Sequence, residues 1–182
     1  MSMTTSSLVT TYLDMRSPAQ LRPKKVTSDK WRVTRLKPSD SGWRFNREMY
    51  FRVGEQWHWI DKRSWTDEQW KEYAAGPELR TFAAYYDGTL AGYYELRSNA
   101  EGGVEIAYFG LLPGFIGRGL GSALLTSAIE EAWSPESIRG IAPQRVWVHT
   151  CNRDHPQALA NYQARGMVVY KVEESRRENI YE

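Results

Sequence analysis

The chain has 182 residues, 41% of them hydrophobic, a single cysteine and a formal net charge of +2. That length suits one domain with an ordinary core, and so small a charge, without blocks of like sign, offers no footing for a nucleic-acid partner. Cys151 alone excludes an intramolecular disulfide framework and a multi-cysteine zinc module, which fits a reducing, cytoplasmic setting. No run approaches the roughly 20 apolar residues that cross a bilayer, so no membrane partner is expected. The first dozen residues lack the basic start and compact apolar run of a signal peptide.

Residues 1–29 are rich in Ser and Thr and then carry Pro18, Pro23, Lys24 and Lys25. They read as an N-terminal arm, partly disordered or loosely packed, ahead of a single domain at 30–182. Trp31 to Leu36 alternates with period two and predicts a strand. Ser39 or Asp40 then caps a helix from about Gly42 to Arg52, which Gly54 ends. A second cap near Ser64–Thr66 opens a short helix to Tyr73, stopped by Gly76-Pro77. Leu79–Tyr86 and Thr89–Arg97 are strands joined by Asp87-Gly88, a strong hairpin signal. Val104–Leu112 completes an antiparallel meander. A helix from Leu120 to Trp133 follows, then a loop at Pro135–Pro143 and a strand at Arg145–Cys151. Pro156–Arg165 is a short helix, with Asp154 or His155 at its cap and Gly166 after it. Met167–Val172 is the last strand.

The sharpest feature is the turn Gly117-Arg118-Gly119-Leu120-Gly121, which leads from the third meander strand into a helix. A helix N-terminus carries unpaired N–H groups and the positive end of the dipole, and glycine lets an anion approach the backbone. This is a phosphate site in principle. On its own the pattern also fits a plain tight turn. A dinucleotide-binding reading fails because a meander, not a parallel strand pair, precedes the turn, and no Gly-Lys-Ser/Thr follows as a P-loop needs.

Val104 to Leu125 (VEIAYFGLLPGFIGRGLGSALL) resembles the strand–loop–helix cofactor motif of the GNAT superfamily of N-acetyltransferases. His149 to Met167 (HTCNRDHPQALANYQARGM) is similar to that family's second motif. The element order from Trp31 to Val172 also agrees. The resemblance implies an α/β fold: a mixed, mostly antiparallel sheet flanked by helices, with a splayed pair of parallel strands, at Val104–Leu112 and Arg145–Cys151, forming the coenzyme A cleft. It departs from the family where Ile116 replaces the usual Gln or Arg, where His155 stands for Asn, and where Met167 stands for Phe. The usual final strand is expected to be short or missing.

The implied activity is transfer of an acetyl group from acetyl-CoA to a primary amine of a small molecule by direct attack in a ternary complex. Backbone groups of Leu111 and Leu112 would pair with the pantetheine. Backbone N–H groups of Ile116, Gly117, Arg118, Gly119, Leu120, Gly121 and Ser122 would hold the pyrophosphate, with Arg118 as a side-chain helper and His155 as a further contact or a helix cap. An alkylamine is mostly protonated at neutral pH, so a proton acceptor is needed, and the departing thiolate gains from an acid. Glu105, the one charged side chain of its strand, is the candidate base, with His149 as a second candidate, and Tyr162 is the candidate acid. A solvent-facing Glu and a core Tyr are the bland alternatives. His149, Cys151, Asp154 and His155 fit no common zinc spacing, so no metal is expected.

The segment Trp43–Tyr73 would shape the acceptor pocket, with Tyr50, Trp57 and Trp59 as candidate substrate contacts among rings that also serve a core. A protein or peptide acetyltransferase and a non-catalytic acyl-CoA-binding module remain open at this stage. Exposed aromatics are compatible with a homodimer.

Overall fold

The computed structural model describes residues 7–37, 39, 42–135 and 141–175. In chain order the elements are β1 (Leu8–Met15), β2 (Trp31–Arg35), α1 (Trp43–Gly54), α2 (Asp67–Ala75), β3 (Leu79–Tyr86), β4 (Thr89–Ser98), β5 (Gly103–Leu111), α3 (Leu120–Ala132), β6 (Arg145–Cys151), α4 (Ala158–Ala164) and β7 (Val168–Ser175). The seven strands make one sheet in the order β2-β3-β4-β5-β6-β1-β7. All neighbours are antiparallel except β5 and β6.

Alternation along the strands divides the side chains between two layers. On one face Tyr94, Leu96, Val104, Ile106, Val146 and Val148 pack with Leu124, Leu125, Ala128 and Ile129 of α3. On the other, Tyr93 and Tyr108 meet Met49 and Val53 of α1, while Trp70 of α2 packs with Trp43 and Tyr50. At Asp87-Gly88 both residues have positive φ, 51° and 75°, the geometry the hairpin signal asks for. Thr66 caps α2 and forms a capping box with Gln69. α1 has Gly42 at its cap and no side-chain cap bond, so Ser39 does not fill that role, and Asp40 lies outside the described residues.

The N-terminal arm is corrected for residues 8–15. β1 lies between β6 and β7, pairing Leu13 with Val148 on one side and Val169 on the other. Leu13 and Met15 are fully buried. Thr and Ser had suggested looseness, but β-branched Val9, Thr10 and Thr11 are good strand formers, and the slot between β6 and β7 buries the apolar end. Among the described residues no strand follows β7, and the position between β6 and β7 is taken by a strand from the other end of the chain. Residues 1–6 lie outside the description. Beyond β1, a carbonyl–amide bond joins Arg165 and Arg22, and Gly166 adopts φ +98° where a Cβ would overlap the carbonyl oxygen of Gln20.

β5 and β6 pair over only three positions, Gly103–Arg145, Val104–Val146 and Glu105–Trp147. Just past the last of these, a bulge leaves Ala107 as an extra residue between the β4 pairings of Ile106 and Tyr108. A bulge bends its strand, so β5 and β6 separate here and run on to Leu111 and Cys151 without pairing to each other.

Candidate active site

The separation of β5 and β6 opens a cavity of about 960 Å³. Its lining runs from Gly117, Gly119, Gly121 and Ser122 at one end, through Tyr162, Glu105 and His149, to Trp57, Trp59 and Asp61 at the other. At the first end, Gly119 is the N-cap of α3, with no side-chain cap bond, so the first-turn N–H groups of the helix are left for a ligand. Gly117 and Gly119 have φ of +80° and +75°, and the space a Cβ would fill at either is empty. These residues fit a phosphate-bearing group, which would be held by backbone amides with little need for a charged side chain.

The turn also corrects several expectations. The Ile116 N–H already donates to the Pro113 carbonyl at 3.3 Å. The Leu112 N–H donates to the Ala91 carbonyl at 2.8 Å, so its one donor is spent inside the fold, and its carbonyl already accepts from Phe115 N–H at 2.9 Å. Leu111 does line the cavity. The Arg118 guanidinium lies 4.6 Å from the Tyr86 ring centroid and 5.3 Å from that of Phe115, and it does not line the cavity. Stacking on two rings, on the β3–β4 hairpin and the turn before α3, is what draws it away. Leu120 is core, so only its backbone faces the turn.

Glu105 is nearly buried. Its Oε2 accepts from Arg97 Nη2 at 3.0 Å and Nε at 3.3 Å, while Oε1 lies 4.0 Å from His149 Nε2. Burial disfavours the Arg97 charge, but Glu105 more than offsets that and its pKa is raised. The solvent-facing alternative for Glu105 is therefore excluded. His149 is half exposed, near Tyr12 of β1 at 5.6 Å between ring centroids. Both Glu105 and His149 stand on the α1 side of the sheet.

Tyr162, from α4, approaches from the opposite side through the gap, with its ring 6.2 Å from that of Phe109. It is buried, its hydroxyl has no hydrogen-bond partner among the described residues, and it lines the cavity. Burial pushes its pKa well above the ordinary tyrosine range, with Asp154 adding to the effect, so it is held in the protonated form an acid needs. His155 lines the cavity as well. Its Nδ1 accepts from Gln157 N–H at 3.1 Å and its ring meets Trp57 edge-on at 5.0 Å, so it acts as a local cap beside the site.

At the acceptor end Trp57 and Trp59 line the cavity, but Tyr50 does not. Tyr50 is 1% exposed, packed against Phe51, Trp59, Trp70 and Tyr108, with its hydroxyl donating to Asp61 Oδ1 at 3.0 Å. It belongs to the core because a helix carrying so many rings must bury most of them. Its bond to Asp61 still matters. Burial pushes the Asp61 carboxyl up, but hydrogen bonds from Tyr108, Lys62 and Tyr50 and the Lys62 charge outweigh this and lower its pKa. Lys62 pairs with Asp61 at 3.1 Å and lies 4.2 Å from the Trp65 ring centroid. Behind this cluster Glu95 is fully enclosed, accepting from Asn46 at 2.7 Å and from Tyr73.

Sequence reasoning had not singled out Arg97, Tyr108, Lys62 or Arg165 as cavity residues. Arg97 carried one signal, its place opposite Glu105 in a predicted hairpin; the others had none. Asp154 holds the β6–α4 loop, accepting from Thr150 at 2.6 Å and the Cys151 N–H at 2.9 Å. Among the described residues no group of three or more His, Cys, Asp or Glu is placed to hold a metal. No described helix is long and apolar enough to cross a membrane.

A profile of the Acetyltransferase (GNAT) family matches residues 43–167, and the chain belongs to that family. Among curated proteins no match is found. The fold is shared with solved structures. A GCN5-related N-acetyltransferase from Sphaerobacter thermophilus superposes with a TM-score of 0.65 and 19% identity, over 93% of this chain and 52% of that one. One from Kribbella flavida gives 0.61 and 15%, over 88% and 54%. An aminoglycoside acetyltransferase from an uncultured soil metagenomic sample gives 0.55 and 15%, over 75% and 87%. The chain thus spans about half the length of the first two.

Proposed function

We propose that this chain is an acetyl-CoA-dependent N-acetyltransferase acting on a primary amine of a small molecule. The observation that carries the proposal is the cavity through the β5–β6 gap, which joins an unfilled helix N-terminus to an aromatic-walled end past Tyr162, Glu105 and His149. When bound, acetyl-CoA supplies a thioester for the amine to attack.

The chain's own groups then have separable tasks. The amides of Gly117 to Ser122 hold phosphate oxygens. Glu105 Oε1, the oxygen not engaged by Arg97, and His149 Nε2 stand on the acceptor side, where a proton must leave the amine. Tyr162 stands on the other side of the gap with its proton retained, ready for the departing sulfur. Trp57, Trp59 and Tyr108 wall the acceptor end, and Asp61 presents a negative charge there. Aromatic faces with a carboxylate favour a cationic or ring-bearing small molecule. Neither a nucleic acid nor a membrane surface is called for, and the setting proposed is cytoplasmic.

The test combines calorimetry with acetyl-CoA and a screen for thiol release over amino acids, polyamines, aminoglycosides, aryl amines and peptides. We expect Tyr162→Phe and Glu105→Gln to lower kcat by roughly 10²- to 10⁴-fold while acetyl-CoA binding persists. No binding of acetyl-CoA overturns the proposal. Binding without thiol release for any amine supports a non-catalytic module, and release with peptides alone supports a protein acetyltransferase.

A further inference from the structure

The cavity continues past the Gly-rich turn on its α4 side, where it is lined by Arg165 and Lys24. Arg165 is only 9% exposed, yet its Nε and Nη1 have no hydrogen-bond partner among the described residues. A buried guanidinium with unused donors is strongly unfavourable until an anion completes it. Among the described residues the carboxylate of Glu105 is met by Arg97. Arg165 lines the cavity with two of its donors still unpartnered.

Lys24 is brought to the same place by the segment after β1. The Arg22 N–H donates to the Arg165 carbonyl at 3.0 Å, the Lys24 N–H donates to Thr126 Oγ1 at 2.9 Å, and Lys25 pairs with Glu130 at 3.1 Å. These bonds tie residues 22–25 across the end of α4 and the middle of α3. Asn161, one turn before Arg165, in turn bonds Gly121 and Ser122 at the start of α3. Thr126 stands one turn beyond Ser122, about 6 Å along the helix at 1.5 Å per residue. The basic pair is therefore set apart from the α3 N-terminus, and it lies on the opposite side of the sheet from Trp57, Trp59 and Asp61.

A pyrophosphate at the helix N-terminus leaves this pair for a second anionic group of the same ligand. On coenzyme A that group is the phosphate monoester on the ribose 3′ oxygen. We infer that Arg165 and Lys24 bind the 3′-phosphate of coenzyme A, so that this chain selects coenzyme A over its dephospho form. The inference rests on the acetyl-CoA reading above. Arg165 supplies planar, charged donors suited to phosphate oxygens, and Lys24 a mobile point charge at the rim.

The test is calorimetry with coenzyme A and 3′-dephospho-coenzyme A on the wild-type chain, Arg165→Met and Lys24→Met, with circular dichroism to check folding. Charge-assisted hydrogen bonds predict that wild type binds coenzyme A at least about tenfold more tightly than the dephospho form. Arg165→Met should abolish that ratio by weakening coenzyme A alone, and Lys24→Met should reduce it. A wild-type ratio near one overturns the inference. So does an equal loss for both ligands in Arg165→Met, which would make Arg165 a packing residue. If Arg165→Met does not fold, Lys24→Met, on exposed chain, decides: an unchanged ratio overturns the inference. Failure of both ligands to bind wild type overturns the acetyl-CoA reading itself, whereas tight binding of both without discrimination leaves that reading standing and removes only the 3′-phosphate site.

Discussion

Leu13→Ala tests whether β1 is part of the cooperative core. Leu13 is 0% exposed and lies between Val148 of β6 and Val169 of β7. Its side chain belongs to the same cluster as Met15, Val146, Val148 and α3. Truncating a buried leucine to alanine costs about 2–5 kcal/mol, from lost transfer energy and the cavity left behind. Leu13 packs into the main core against β6 and α3, so the site has little freedom to collapse and the upper half of that range is expected. For a domain of this size the loss corresponds to a fall in Tm of roughly 7–20 °C. Thermal unfolding followed by circular dichroism measures it, and urea unfolding checks that the slope is unchanged. Tyr12→Phe is the control: it removes one exposed hydrogen bond to Glu173 and should cost less than about 1 kcal/mol. A Leu13→Ala variant that melts within about 1 °C of wild type would refute the placement of β1 in the core and restore a loose arm.

Gly166→Ala should destabilise by more than about 1 kcal/mol, because φ there is +98° and the new methyl would overlap the Gln20 carbonyl; equilibrium denaturation reads it. Gly119→Ala meets only backbone strain, of about 1–2 kcal/mol, but its methyl enters the proposed phosphate cradle, so calorimetry should show acetyl-CoA affinity falling out of proportion to stability. Burial raises the Glu95 pKa above its ordinary range near 4.5, so the stability it contributes is complete below that range and is lost as pH rises through the folded value. Urea unfolding at about pH 4 and about pH 7 should therefore show Glu95→Gln gaining on wild type at the higher pH. Tyr73, Tyr93, Tyr108 and Tyr162 are all raised, chiefly by burial, so stability should hold to about pH 10 and fall steeply above it as the unfolded chain ionises first; an alkaline melting series checks this.

Much of the site was legible because it is built from local signals. Gly117 and Gly119 occupy positions of positive φ that glycine alone adopts cheaply, and the following apolar periodicity marks α3. The Asp87-Gly88 hairpin fixed the β3–β4 pairing, and with it the meander that leads to the turn. Glu105 stood out as the lone charged side chain of β5, and Tyr162 through its motif. By contrast, Tyr50 and Trp59 looked alike in sequence. Only packing sends one into the core and the other to the cavity wall.

The sequence by itself determined the local pieces: each strand and helix of the meander and of the two motifs, and the Gly-rich turn. These depend on contacts within a few residues, which propensity and periodicity record. The tertiary structure alone decided which distant groups meet. It put β1 between β6 and β7, turned Arg118 onto Tyr86, and left Nε and Nη1 of Arg165 without a partner among the described residues. Those outcomes depend on strand order, the bulge at Ala107 and burial. Several of them join chain segments more than a hundred residues apart in sequence, as with Asp14 and Arg145, and no local pattern encodes those.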